Sequence, residues 1–550
     1  MKREGTSEIT HLGLTSALAL AGKATGPKGV PSGLPGVLAH VGYTTENLMK
    51  VGVLPSSGLA IGDPLPLWEL LVRASGDGAL EVLVRLFMLG QVESREAVTR
   101  ALSPKDGPKV SVEQLEAAGL VIAIEIPGKI KAKADSAIKA NAGVRALAGL
   151  VPLGEQLVLR DFPRAITGQA PARDYVLAVG GASVLVAQLT PRAKAELALD
   201  LGTGQGFQAM QAAAHVKRVI ATDVNHRALQ LAATSCALSG ITNVEFRFGS
   251  LYEPVAAEAG EFDLIVSNPP FVIAPPQDVI GYSDQSLSGH ALVERVVRGA
   301  GKMLRAGGVC VLVANWAYAG DEARDRRWAA TPRRWLEHES DTPCDAAIVH
   351  FGSYPARTYA FKWLEETGTP RSEISAERMA RWMEYYETIG LEAVAFGALV
   401  LKRCSPGQTP IVHAESLDTP PKGHACGDVL LRTLAGVREV QTRLAISPET
   451  LGAWKPTLTK DAVLQRELVV GKGTWLATDI ALTQRGGIPR RAMIDAVTAD
   501  LLALLDGSRT VDDAGRRVAR QHGVEGSGAD AMARAREVVG GLAKLGYFEA

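Results

Sequence analysis

The sequence predicts an α/β protein built on a doubly wound, mostly parallel sheet, and three observations predict it. An apolar run over residues 197–201 leads into a glycine-spaced turn. A second run, 219–223, ends on an acid roughly 20 residues after that turn, the spacing of a nucleotide-binding βαβ unit. A third, 262–266, closes on Ser267-Asn268-Pro269-Pro270-Phe271.

The first run ends Asp200-Leu201 and passes into Gly202-Thr203-Gly204-Gln205-Gly206, followed by a helix-like stretch from Phe207 to His215. Glycines allow the tight turn and let a ligand approach the backbone at a helix N-terminus. The second run ends in Asp223, where such folds hold ribose hydroxyls; taken alone it would be an ordinary strand-end carboxylate. Residues 243–251 give a further strand and a turn ending in Ser250-Leu251. The run at 262–266 has the compact apolar character of a strand buried inside a parallel sheet. Pro269 and Pro270 then remove two N–H donors and force an extended exit, so that Asn268 and the neighbouring carbonyls face a cleft instead of pairing in the sheet. An amide oxygen, the Pro269 carbonyl and the flat face of Phe271 suit a planar NH2 group, held by two accepted hydrogen bonds with its lone pair left free. An isolated Asn-Pro-Pro-Phe describes a strand-ending turn with a core Phe equally well, and it is the preceding segments that favour a site. Further on, residues 289–304 form an amphipathic helix with Leu292, Val293, Val296, Val297 and Met303 on one side. Gly307-Gly308 opens a strand at 309–314, and 393–396 and 398–402 read as two more.

This ordered set resembles the class I S-adenosylmethionine-dependent methyltransferases, in the HemK-like branch that carries the SNPPF or SNPPY motif. The resemblance is firm over about residues 175 to 320 and implies a Rossmann-like core of seven strands that binds S-adenosyl-L-methionine. It implies that Gly202, Gly204 and Gly206 border the amino-acid end of the cofactor, that Asp223 takes the ribose, and that Ser250 and Leu251 flank the adenine. Asp200, Thr203, Val224 and Asn268 complete the implied cofactor contacts. The family often has an Asp where Ser250 stands. The strand-turn expected at 176–183 and the helix after it lie over the cofactor in this family, which makes Gln188 and Thr190 candidates for its carboxylate or else capping and core groups. The implied catalytic set is Asn268, Pro269, Pro270 and Phe271. Members of the branch methylate nitrogen on planar groups: release-factor glutamine, DNA adenine N6, or ribosomal RNA guanine N2. The continuation over residues 272–279 is most similar to the glutamine enzymes, so a protein glutamine is the expected acceptor and an RNA or DNA base the alternative.

Composition sets the outer bounds. At 550 residues and 47% hydrophobic, the chain is long enough for several domains with real cores. Lys+Arg equals Asp+Glu at 59 each, which excludes a uniformly basic nucleic-acid binder but permits a local patch. No apolar stretch of ~18 residues offers a membrane span. Cys236, Cys310, Cys344, Cys404 and Cys426 lack metal-like spacing and read as reduced, in a cytoplasmic protein. The faintly signal-like Leu12 to Ala21 is interrupted by Thr15 and Ser16 and preceded by Glu4 and Glu8.

The expected domains are a Gly/Pro/Ala-rich extension at 1–64, a winged-helix-like domain at 65–165, and a methyltransferase domain at 166–405 with a Trp- and Arg-rich insertion at 316–390. A linker at 406–427 and a second winged-helix-like domain at 428–550 follow. Pro27, Pro31 and Pro35 predict loop over 26–36. Lys129, Lys131, Lys133 and Lys139 stand where a wing touches phosphates, while the lack of a net basic excess favours a wing that only packs. In the insertion, Trp side chains interleaved with Arg324, Arg326, Arg327, Arg333 and Arg334 suggest an RNA or protein surface. Interspersed Asp321, Glu322 and Asp325 favour the plainer reading, in which tryptophans anchor the insertion and arginines pair along a helix. A macromolecular substrate is the expected partner, with nucleic-acid contact by the winged modules a further expectation. A non-catalytic winged-helix regulator with a relict methyltransferase fold is the reading from a different class.

Overall fold

The computed structural model describes residues 29–54, 73–125, 142–169, 172–278, 289–319, 327–337, 342–366, 374–421, 426–471, 473–485, 487–523 and 528–549. The signal-like stretch, the four wing lysines and the Asp321–Arg326 charge cluster lie outside them. The chain divides into two compact units, one comprising residues 1–184, 194–292 and 357–389, the other 185–193, 293–356 and 390–550.

The first unit begins with helices Leu34–His40 and Thr45–Lys50, where composition predicts loop. Pro35 sits in the first turn of its helix, where a missing N–H breaks no bond, so it starts the helix instead of preventing one. Leu34, Val37, Leu38, Tyr43 and Leu48 are buried, which makes this segment part of the core and not an appended extension. Helices Ala79–Phe87, Arg95–Ala101 and Val112–Ala117 follow, the last opened by a Ser111/Gln114 capping box. They accompany a small antiparallel sheet of β1 (Glu93–Ser94), β2 (Val121–Glu125) and β3 (Ala142–Ala146), in the order β1-β3-β2. A hairpin of β4 (Gly149–Leu153) and β5 (Gln156–Arg160) comes next. Its Leu157 and Leu159 N–H groups donate to Ser239 and Ser235 Oγ, each at 2.9 Å, at and beyond the end of helix His226–Leu238. Asp161 accepts from Arg227 Nε at 3.0 Å and from the Val176 N–H at 2.8 Å. Residues 176–180 therefore form no strand: Val176 turns its N–H to a carboxylate instead of a sheet partner. Ala228, Leu231 and Leu238 share one hydrophobic core with the N-terminal helices.

The parallel part of the first unit is β6 (Ala195–Leu201), β7 (Val216–Asp223), β8 (Val244–Phe248) and β9 (Phe262–Ser267), ordered β9-β6-β7-β8. Register pairs Leu201 with both Thr222 and Ser267, and Asp223 with Phe248, so all four strands end along one edge. Two late helices, Ala356–Glu366 and Ala376–Thr388, supply the rest of this unit.

The second unit holds β10 (Leu304–Tyr318), β11 (Cys344–Pro355), β12 (Ala393–Arg403) and β13 (Val412–Ser416), ordered β13-β11-β12-β10, with β12 antiparallel to its neighbours and β13 parallel to β11. β6 to β12 supply the seven strands expected, and β13 is an eighth. Three expectations are corrected here. The two strands predicted at 393–402 are one, because Gly397 is a packing position and not a break: a Cβ there would come within 2.3 Å of the Val349 oxygen and 2.4 Å of the Trp316 ring. The 316–390 stretch is not a simple insertion, since β11 lies inside it and Trp316 is fully buried on β10. The 406–427 stretch is not a simple linker, since β13 lies inside it.

Beyond it, helices Cys426–Ile446 and Pro448–Gly452, the antiparallel sheet of β14 (Ala462–Gly471), β15 (Thr474–Gln484) and β16 (Arg491–Ile494), and three further helices build a C-terminal module. Arg438 pairs with Asp345 at the start of β11, and Arg490 pairs with Glu415 on β13, so the module is ion-paired to those strands. All five cysteines are free thiols. No described helix is long and apolar enough to cross a membrane, and no described His/Cys/Asp/Glu group could hold a metal.

Candidate functional site

The parallel register brings the segments following β6, β7, β8 and β9 to the same edge, and with them the glycine turn, Asp223, Ser250-Leu251 and Asn268. Each is held by a different device. Gly202, Gly204 and Gly206 all have positive φ, at 75°, 55° and 88°, a backbone that side chains disfavour. A Cβ on Gly206 would strike the Ala232 Cβ at 2.8 Å, whereas one on Gly202 or Gly204 would meet nothing within 4 Å. Gly206 thus serves close helix packing, and the two glycines before it face open space.

Asp200 is buried beneath this turn. Its Oδ2 accepts from Thr203 Oγ1 at 2.6 Å and from the Ala209 N–H at 2.8 Å, while its Oδ1 is buried with no partner. Burial pushes its carboxyl up to about 7, the donors pulling back and the neighbouring Asp223 charge adding to the rise. Asp223 accepts the Gly204 N–H at 2.9 Å on one oxygen and the Asn225 N–H at 2.8 Å on the other. Burial raises its pKa as well, against these backbone donors. The acid at the end of β7 therefore fixes the glycine turn. Val224, beside it, is 43% exposed. Leu251, with φ at 48°, is the only non-glycine residue at positive φ among the described residues. At the ends of the same elements His226 stacks on Phe248, with centroids 3.8 Å apart and planes 3° from parallel, a pair that no local pattern predicts.

Asn268 follows β9, whose last residue, Ser267, donates its hydroxyl to the Leu201 carbonyl at 2.8 Å. The Asn268 Nδ2 donates to Ser183 Oγ at 3.0 Å, and its Oδ1 is buried with no partner. Pro269, Pro270 and Phe271 lead out of the strand without regular structure. Phe271 meets Trp363 edge to face at 6.2 Å. Beyond it, the Ile273 N–H donates to Tyr359 Oη at 3.2 Å and its carbonyl accepts from Tyr386 Oη at 2.9 Å. Asp278 accepts from Arg378 Nε and Trp382 Nε1, both at 2.9 Å. Trp363 and Trp382 thus anchor the segment after Asn268, and Arg378 pairs with it across 100 residues. Sequence reasoning missed Ser183, Tyr359 and Tyr386, because each acts at a distance of more than 80 residues. Thr190, a candidate directly after the helix that holds Ser183, spends its hydroxyl on the Val186 carbonyl at 2.7 Å.

Two orphaned acceptor oxygens on adjacent strand ends, and open space above two glycines, fit a ligand that brings N–H donors to this edge. The four-strand order, glycine turn and strand-end acid are those of a nucleotide-binding half of a doubly wound α/β sheet. Residues 179–323 match the methyltransferase small domain, and residues 40–125 match a domain of unknown function designated DUF7059. The chain is similar to the release factor glutamine methyltransferase of Aliivibrio fischeri, at 42% identity over 91 residues covering 16% of this chain and 31% of that protein. It is similar to that of Xylella fastidiosa at 36% over 132 residues, covering 21% and 46%. Similarity extends to the ribosomal RNA small subunit methyltransferase C of Salmonella newport, at 30% over 137 residues covering 24% and 35%. The chain spans less than half the length of each of these three relatives.

Proposed function

We propose that this chain is an S-adenosylmethionine-dependent N-methyltransferase acting on a planar NH2-type nitrogen, with a protein glutamine side chain as acceptor. The observation that carries the reading is the Asn268 amide, whose oxygen is buried without a partner at the end of β9 while its nitrogen is already engaged. A buried acceptor left unpaired is costly, and an incoming N–H relieves it.

In this reading the backbone of Gly202 and Gly204, together with Thr203 and the free oxygen of Asp200, holds the amino-acid end of the cofactor. Asp223 takes the ribose, with Val224, Ser250 and Leu251 around the adenine and Gly206 packing the helix behind. S-adenosyl-L-methionine, when bound, supplies a methyl group on a positively charged sulfur; the S–C electron pair stays on sulfur as the N–C bond forms, and the nitrogen gives up a proton to water. Asn268 Oδ1 and the Pro269 carbonyl accept the two N–H bonds of the acceptor, leaving its lone pair directed at the methyl group. Pro269 and Pro270 keep the segment extended, and Phe271 packs on the acceptor plane. Positioning and preorganised acceptors of this kind account for much of a transfer barrier.

The glutamine reading is favoured over a nucleobase by the higher identity to these glutamine enzymes. The free thiols accord with a cytoplasmic enzyme. The ribosomal RNA relative keeps an RNA base as the second reading.

The test is to incubate the full chain with tritium-methyl-labelled cofactor and an extract of cells lacking it, then to split the product by protease and nuclease. Protease-sensitive label, located on glutamine by mass spectrometry, is the expected result. Label lost to RNase or DNase points to a base. No label and no cofactor affinity, with salt-dependent DNA binding, would replace the enzyme with a regulator.

A further inference from the structure

We propose that Ser183 is a positioning residue for the transfer, anchoring the nitrogen end of the Asn268 amide so that its oxygen end is left for the acceptor; the inference rests on the role given to Asn268 above. A side-chain amide has two nearly isosteric ends, and only the oxygen end can accept an N–H from the substrate. Reversed, it would present donors to donors. Burial disfavours reversal, since the Ser183 hydroxyl can donate or accept but a flip would carry the N–H donors into the place where Oδ1 is buried without a partner. Ser183 Oγ lies 3.0 Å from Asn268 Nδ2 and is the acceptor for that N–H. The serine is itself only 7% exposed, so water does not compete freely for the place.

The serine is in turn held from behind. It stands in the first turn of helix Gly181–Leu189, and its own carbonyl accepts from Gln208 Nε2 at 2.6 Å. Gln208 is only 6% exposed and belongs to the helix that starts at Phe207, directly after the glycine turn. A chain of two hydrogen bonds therefore runs from the helix behind the glycine turn, through Ser183, to the acceptor-binding amide. The resting state discriminates between the two amide orientations too. A buried N–H without a partner is rarer than an under-satisfied carbonyl, so the amide places its nitrogen on Ser183 and leaves its buried oxygen without a partner. Ser183 touches neither the acceptor nor the transferred methyl group; it acts through Asn268.

The experiment compares wild type, Ser183→Ala, Asn268→Ala and the double variant of the full chain. Each is given labelled S-adenosylmethionine and saturating extract from cells lacking the chain, and cofactor affinity is measured by calorimetry. Ser183→Ala is expected to lower the maximal transfer rate about tenfold, the effect of one hydrogen bond to a reacting amide, with cofactor affinity within about twofold of wild type. In the Asn268→Ala background the same change is expected to add nothing, whereas a merely structural role would subtract in both backgrounds. Nitrogen-15 asparagine labelling gives a second reading that needs no acceptor: the side-chain N–H pair that disappears in Asn268→Ala should be protected from exchange in wild type and lose that protection in Ser183→Ala. A wild-type rate and unchanged protection in Ser183→Ala overturn the inference, as does an equal further loss in the double variant. A wild-type rate in Asn268→Ala itself overturns the reading of the site instead.

Discussion

The two ends of the crevice edge are built in opposite ways. Around the glycine turn the bonds are local: Thr203 to Asp200, Ala209 to Asp200 and Gly204 to Asp223 span 3, 9 and 19 residues. Around Asn268 they are remote: Ser183, Tyr359, Trp382 and Tyr386 reach the 268–278 segment across 85, 86, 104 and 113 residues. A segment tied by local bonds is shaped by its own sequence, and a segment tied by remote bonds is shaped by whatever the fold delivers. The cofactor end should therefore respond to changes within its motif, and the acceptor end to changes far from its own.

The sharpest way to break this comparison is to exchange the phenotypes of its two central residues. Asn268→Ala is expected to lower transfer by about 10²–10³-fold, the range for removal of one preorganised group at a reacting centre, while calorimetric cofactor affinity stays within a few-fold. Asp223→Ala is expected to do the reverse, weakening cofactor binding by roughly 10–100-fold through loss of charge-assisted bonds, including those that hold the Gly204 and Asn225 N–H groups. Equal losses of affinity in both variants would merge the two ends into one.

The same contrast explains what was legible in the sequence. The strands β6 to β9 and the glycine turn were readable because an apolar run, a glycine spacing and a strand-end acid are local patterns with local causes. That Asn268 leaves the sheet was readable because two prolines follow a buried strand. Ser183 and Tyr386 carry no such mark: a serine in a helix start and a tyrosine in an amphipathic helix are ordinary until the chain folds back 85 and 113 residues. β11 and β13 were hidden for a related reason. They lie among Trp-, Arg- and Pro-rich stretches whose composition suggests insertion or linker, and their strand character comes from pairing with β12 and with each other. Gly397 shows the opposite error, a residue read as punctuation that is required by close packing.

A smaller effect separates the ends by their response to pH. Asp200 has its carboxyl pushed up from 3.8 to about 7, chiefly by burial. An acid with a raised folded-state pKa contributes stability that is fully present below the unfolded value and is lost as pH rises through the folded one. Wild type should therefore lose stability relative to Asp200→Asn as pH rises from about 4 to about 7, because the Asn keeps an oxygen for Thr203 and Ala209 without titrating. Denaturant midpoints of both proteins across that window check it; parallel curves would remove Asp200 as the cause. In the segment after Asn268 the corresponding anchor, Tyr386, stays protonated across this window. Burial raises the Tyr386 phenol above its usual range and keeps it a donor throughout.

Tyr386→Phe tests the remote end at its smallest scale. The phenol is buried, lies 2.9 Å from the Ile273 carbonyl, and is removed by this change without loss of the ring that packs against Tyr359 and Trp382. The carbonyl then loses a partner inside the protein, a cost of about 1–2 kcal/mol. Unlike Asp223, Tyr386 does not act alone, since Tyr359 still accepts the Ile273 N–H, and Arg378 and Trp382 still hold Asp278. The segment should loosen without leaving its place. The expected outcome is a transfer rate reduced a few-fold and a slightly lower denaturant midpoint, with cofactor affinity unchanged. Adding Tyr359→Phe should deepen the loss by more than the sum of the two, because the pair shares one residue's backbone. If both tyrosines can be replaced with no effect on transfer, the segment after Asn268 is held by its own prolines, and the acceptor end is as local as the cofactor end.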